Sequence, residues 1–172
     1  MILDKRFELK PLINGGGHEH GLRSGTENVP GIVGFGAACE LAAQRMRDLA
    51  PRLAAMRDQF ERGLERMGAV IFCGGVPRIP NTSYFALPGI EGETLVVELD
   101  KAGYAVASGA ACSSANPEPS ATLLAMGVGS ELARGAVRVS LGKDNTAAQV
   151  EEFLHALSAV LTRLKRLTAI AV

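Results

Sequence analysis

Gly15-Gly-Gly-His-Glu-His-Gly-Leu-Arg-Ser-Gly-Thr-Glu-Asn28 stands directly ahead of a long helical pattern that opens at Val29-Pro30. The glycines permit backbone angles closed to other residues, so the run reads as a loop. Asn28 is a natural N-cap, and Pro30 suits a first helical turn. A glycine-rich loop feeding a helix N-terminus presents backbone N–H groups to an anion, and here Thr26 adds a hydroxyl and Arg23 a charge. The bland alternative is a loop that binds nothing. His18, Glu19 and His20 are consecutive, and successive side chains point apart in an extended chain, so the trio does not make a metal site.

Downstream, Ile32, Val33, Phe35, Ala38, Leu41 and Ala42 fall on one helical face. The helical pattern persists to about Met67, with Pro51 expected to split it into consecutive helices and Gly68 to end it. Apolar strands are expected over 69–73, 82–87, 104–107 and 136–141, and a short strand end within 1–13. Helices are expected over 91–102 and from Pro119-Ser120 through Met126, with a final amphipathic helix capped by Thr146. Its inward positions are Val150, Phe153, Leu154, Leu157, Val160, Leu161 and Leu164. The result is an α/β layout, a small sheet flanked by helices.

Composition narrows the function. Apolar residues make up 47% of the chain, enough for a core. Lys and Arg (18) balance Asp and Glu (18), and there is no basic stripe with interleaved aromatics, so nucleic acid is not an expected partner. No apolar run reaches the ~18 residues a membrane helix needs, and the first residues lack a secretory apolar segment. The expectation is a cytoplasmic protein. The odd count of 3 cysteines, without a CxxC pair, argues against a disulfide framework or a zinc site. Cys39, on a helix among alanines, reads as a core residue, and Cys73 as structural.

Cys112 differs. It lies in Ala107-Ser-Gly-Ala-Ala-Cys-Ser-Ser-Ala-Asn-Pro-Glu-Pro-Ser120, a loop of small side chains. That setting suits an exposed, reactive thiol that travels between a donor and an acceptor, and equally an incidental loop cysteine. In Val137-Arg-Val-Ser-Leu-Gly142 an arginine interrupts an apolar strand. Burying its charge alone is costly, so Arg138 must face solvent or an anionic partner such as a carboxylate.

Together these runs resemble the cysteine desulfurases of the NifS and IscS type, a branch of the class V aminotransferases. The glycine-rich segment through Gly34, the Ser108-Gly-Ala-Ala-Cys-Ser-Ser loop with Pro117-Glu-Pro-Ser120, and Arg138-Val-Ser-Leu-Gly142 carry the likeness. The resemblance implies the small C-terminal domain of a pyridoxal-phosphate-dependent aminotransferase-type fold. Residues 1–28 would belong to the cofactor-domain side, and 29–172 would form the small domain with its linking helix. It also implies conversion of L-cysteine to L-alanine with a persulfide left on Cys112. Arg138 would hold the substrate carboxylate, and Thr26 would donate to the cofactor phosphate across a homodimer. The sulfur would pass to an iron–sulfur scaffold or another acceptor, with at most a transient cluster contact through Cys112 and no resident metal.

The family's cofactor lysine follows Ser-His, and none of Lys5, Lys10, Lys101, Lys143 or Lys165 has that setting. The expectation is therefore the C-terminal portion only, inactive without a cofactor-bearing half. The alternatives are a non-catalytic sulfur carrier or interaction module using Cys112, and a related reaction such as selenocysteine lysis.

Overall fold

The structure is a computed structural model; it describes residue 4, residues 6–108 and residues 118–170, with side chains through residue 166. The chain divides into two compact units, Met1–Met46 and Arg47–Val172.

The first unit is loop followed by helix. Instead of the strand end expected within 1–13, the described residues there run as irregular chain and turn. The segment offers no partner strand, and an isolated strand leaves its backbone groups unpaired. One 3-10 turn, Glu19–Gly21, interrupts the glycine-rich loop. Helix α1, Val29–Arg66, starts at the expected position. Asn28 caps it: its Oδ1 accepts from Gly31 N–H at 3.1 Å, and its carbonyl accepts from Ile32 N–H at 2.9 Å.

Residues 25–48 are all exposed, including Ile32, Val33, Phe35 and Leu41 of the apolar face. Cys39 is exposed as well, which corrects its reading as a core residue. Periodicity marks an apolar face but does not supply the surface that buries it.

α1 also continues across Pro51 rather than splitting there. Proline in a helix interior costs one hydrogen bond and on the order of 3 kcal/mol. Burial of Leu53, Met56, Phe60 and Leu64 on the following turns offsets that cost.

The second unit is an antiparallel sheet with helices on it. Its strands are β1 Val70–Ile71, β2 Thr82–Ala86, β3 Ala107–Ser108 and β4 Ala136–Ser140, in the spatial order β1-β2-β4-β3. Helix α2, Gly92–Lys101, precedes β3, and α3, Ala121–Ala125, follows the cysteine loop. α3 was expected to open at Pro119-Ser120; Ser120 is its cap, with its Oγ accepting from Leu123 N–H at 3.5 Å. A further short helix, α4 Ser130–Arg134, was not expected; five residues are too few to show a period.

α5, Ala147–Ile170, opens on a reciprocal cap. Gln149 N–H donates to Thr146 Oγ1 at 3.2 Å, and Thr146 N–H donates to Gln149 Oε1 at 3.1 Å. Gly68 ends α1 in the left-handed conformation (φ 82°), with Ala69 N–H closing on the Leu64 carbonyl at 3.1 Å. Gly103 and Gly127 stop α2 and α3 in the same way, through Tyr104 N–H to Leu99 and Val128 N–H to Leu123.

The core joins α1, α2 and α5 to one sheet face: Phe60 and Leu64, Leu95 and Leu99, Val137 and Val139, Phe153 and Leu157. Phe60 meets both Phe85 (6.0 Å) and Phe153 (5.4 Å) edge to face. A smaller cluster, Phe72, Ala86, Leu123, Ala133 and Ala136, sits on the other side. A buried ion pair ties α1 to the β1–β2 connection: Arg78 reaches both Glu61 oxygens at 2.5 and 2.7 Å. No helix among the described residues is long and apolar enough to cross a membrane.

Candidate functional site

The glycine-rich loop is held by its own backbone. Gly17, Gly21 and Gly25 take φ of 76°, 78° and 106°, conformations in which a side chain would be strained. Ser24 N–H donates to the Ile13 carbonyl at 3.1 Å, and Ser24 is the buried residue of the segment. His18 Nδ1 lies 2.9 Å from Glu27 Oε1, drawing the start and end of the loop together. The Glu27 carboxyl is held below the usual glutamate range, first by its own backbone N–H and then by His18. This pairing was missed in the sequence, where the partners stand nine positions apart without a local motif.

Thr26 is exposed, three positions ahead of the start of α1. A Cβ on Gly25 would come within 3.1 Å of Arg23 Nη1, so the glycine keeps space open beside that guanidinium. A hydroxyl, a guanidinium and a side-chain-free backbone are donors that fit a phosphate group.

In the second unit Arg138 occupies the middle of β4 and is exposed, flanked by buried Val137 and Val139. It stands opposite Tyr84 of β2 on one side and Ala107 of β3 on the other. Ala136, Arg138 and Ser140 face away from the main core, because successive side chains alternate across a sheet. Among the described residues no carboxylate pairs with Arg138. Of its small neighbours, Ala86 and Ala136 are buried in the cluster with Phe72 and Leu123, while Ala107 is half-buried. Tyr84 received no functional reading from the sequence; only the strand register reveals it as Arg138's neighbour.

A cavity of about 400 Å³ lies on the opposite side of β4, lined by Phe60, Tyr104, Val139, Gln149 and Phe153. It does not include Arg138. Val139 and Ser140 of β4 line it and Arg138 does not, so this hollow and the cationic face are different places.

Cys112 and residues 109–117 around it lie outside the described residues. Ser108 ends β3 opposite Val137, one position beyond the Ala107–Arg138 pair. Thr26 belongs to the first unit and Arg138 to the second, and each site is described within its own unit. Cys73 is exposed, with φ 58° in the turn after β1. Among the described residues no group of three His, Cys, Asp or Glu side chains converges.

The chain is 42% identical over 166 residues to a cysteine desulfurase of Bradyrhizobium diazoefficiens, a match covering 96% of the chain and 42% of that protein. It is 43% identical over 170 residues to a cysteine desulfurase of Gluconacetobacter diazotrophicus, covering 98% and 42%. Among solved structures, a NifS-like protein superposes with a TM-score of 0.78 at 38% identity, covering 92% of the chain and 40% of its own. A NifS-like protein from Rickettsia africae gives 0.77 at 30% identity, covering 91% and 41%. The chain thus spans about two fifths of the length of the relatives it matches. The profile of the aminotransferase class-V family matches residues 11–153, and the chain belongs to that family.

Proposed function

We propose that this chain is the C-terminal part of a cysteine desulfurase, which takes sulfur from L-cysteine as a persulfide on Cys112 and leaves L-alanine. The observation that carries this reading is Arg138: an exposed guanidinium at the centre of the sheet, without an ion-pair partner among the described residues, one register step from the end of β3. Cys112 follows Ser108 by four positions. Four residues of chain span at most about 14 Å, which keeps the thiol within reach of a ligand bound at Arg138.

Arg138 binds the substrate carboxylate through paired N–H donors, orienting the substrate sulfur towards the cysteine loop. The Cys112 thiolate attacks that sulfur. An S–S bond forms as the substrate C–S bond breaks, and the electron pair stays with carbon, which takes up a proton to complete L-alanine. The persulfide's outer sulfur then passes to an acceptor, such as an iron–sulfur scaffold protein.

Pyridoxal phosphate, when bound, supplies the electron withdrawal that makes the substrate sulfur open to attack. Thr26 would hold its phosphate, reaching into the partner's site in a homodimer; residues 1–28 thereby belong to the cofactor-domain side and 29–172 to the small domain. No lysine here follows a Ser-His pair, so the cofactor's covalent anchor comes from the part of the enzyme that these residues do not include. The chain by itself is inactive, and the complete enzyme works in the cytoplasm. The same lysine pattern favours a second reading, a sulfur carrier that receives persulfide on Cys112 from another enzyme.

Peptide mass spectrometry tests the proposal. The chain is mixed with a separately expressed cofactor-bearing part of the Bradyrhizobium relative, pyridoxal phosphate and L-cysteine, then alkylated. One additional sulfur atom on the Cys112 peptide is the expected result. An unmodified Cys112 peptide, with L-alanine formed all the same, contradicts it.

A further inference from the structure

The face of the sheet that carries Arg138 holds a second group with recognition chemistry. Tyr84 stands directly opposite Arg138 across β2 and β4. The type of this pairing follows from its neighbours. Leu141 N–H donates to the Asn81 carbonyl at 2.8 Å, and Phe72 N–H donates to the Tyr84 carbonyl at 2.8 Å. The backbone of Tyr84 therefore turns towards β1, and hydrogen-bonded pairs alternate away from it along β2 and β4. Tyr84 and Arg138 form a non-hydrogen-bonded pair, the kind in which opposing Cα atoms approach to about 4.5 Å and side chains lie closest.

The Tyr84 ring is fixed from behind. It meets Phe72 edge to face at 5.3 Å, within the small cluster on this side of the sheet. Its hydroxyl has no hydrogen-bond partner among the described residues. One step along the ladder, Thr82 Oγ1 and Ser140 Oγ pair at 3.4 Å. Alanines occupy the remaining neighbouring positions, at 86, 107 and 136. Tyr84, half-buried against Phe72, thus occupies the position opposite an exposed arginine, with no hydroxyl partner among the described residues.

We infer that Tyr84 is a second recognition residue for the carboxylate ligand of Arg138, its hydroxyl donating to the bound carboxylate. This rests on the reading of Arg138 given above. The ligand class is an α-amino acid carboxylate. Arg138 supplies the charge and Tyr84 restricts the orientation in which it is accepted.

The test is an NMR titration of the full chain, following the backbone amides of Ala107, Val137 and Val139. The probe is L-cysteine under reducing conditions, with cysteamine, which lacks the carboxylate, as the control. The wild-type amides should shift saturably with L-cysteine and stay unmoved by cysteamine. Tyr84→Phe keeps the ring and its packing on Phe72, so it should fold normally and weaken binding about two- to tenfold, as expected for one net hydrogen bond. Arg138→Ala should abolish the response. If Tyr84→Phe binds as tightly as wild type while Arg138→Ala does not bind, the role of Tyr84 is overturned and that of Arg138 stands. If Arg138→Ala binds like wild type, or the wild-type chain gives no response, both fall.

Discussion

Arg138 and Ala107 stand directly opposite one another across β4 and β3, so the strand that feeds the Cys112 loop is paired at the exposed guanidinium itself. The arrangement assigns different tasks to adjacent positions. Val137 and Val139 bury into the core and fix the strand, while Arg138 between them points away from it.

Removing the guanidinium should therefore separate stability from binding. Arg138→Ala is expected to change the urea unfolding free energy by no more than about 0.5 kcal/mol, as for an exposed residue with no ion pair among the described residues. In the enzyme reconstituted with a cofactor-bearing half, the same change should raise KM for L-cysteine about ten- to a hundredfold, the range of a lost charged hydrogen bond. Equal KM values for wild type and variant would contradict the assignment.

Gly63 of α1 lies under Leu154 of α5, and a Cβ at residue 63 would come within 2.4 Å of Leu154 Cδ1. Alanine favours a helix by about 1 kcal/mol over glycine, but overpacking a core typically costs 1–3 kcal/mol, roughly. Gly63→Ala should thus be destabilising by about 1 kcal/mol in urea unfolding. In the Leu154→Ala background it should become neutral or stabilising, because the obstructing methyl groups are gone. Additive effects in the double mutant would contradict the contact.

The Glu61–Arg78 pair lies in the interior between α1 and the β1–β2 connection, with side chains 10% and 16% exposed. Glu61 is the principal cause of the raised Arg78 pKa. Arg78→Ala leaves a carboxylate buried without its partner and should cost about 3 kcal/mol. Replacing both together, Glu61→Leu with Arg78→Met, should recover most of that loss. Thermal unfolding of the single and double variants checks this.

Glu98 receives Lys101 at 2.7 Å and also pairs with Arg163 of α5. Lys101 first, and then Arg163, hold its carboxyl below the usual glutamate range. Because the folded-state value is depressed, the stabilisation is complete above the ordinary glutamate value and is lost as pH falls through the lowered one. Wild type should accordingly exceed Glu98→Gln in urea midpoint at neutral pH, with the difference vanishing in acid. A difference that persists in acid would show that the glutamate acts by packing instead of charge.

Much of the fold was legible because its signals are local. Asn28 and Thr146 are caps and Gly68 is a left-handed stop, each decided by a few neighbouring residues. α4 was too short to show a period, and Pro51 was outweighed by the burial that follows it. Cys39 was misread because an apolar helical face implies burial only where another surface meets it. In the candidate site, Arg138 was legible as a charge inside an apolar strand. Tyr84 was not, since strand register links positions 54 residues apart.

The central claim is that Cys112 accepts sulfur and that catalysis needs a cofactor-bearing half. Sulfide release from L-cysteine tests it most directly, measured with pyridoxal phosphate and a reductant for the chain alone, for the chain plus that half, and for Cys112→Ala with the same half. Sulfide is expected only from the combination that has both the half and an intact Cys112. Sulfide from the chain alone, or undiminished release with Cys112→Ala, would contradict it.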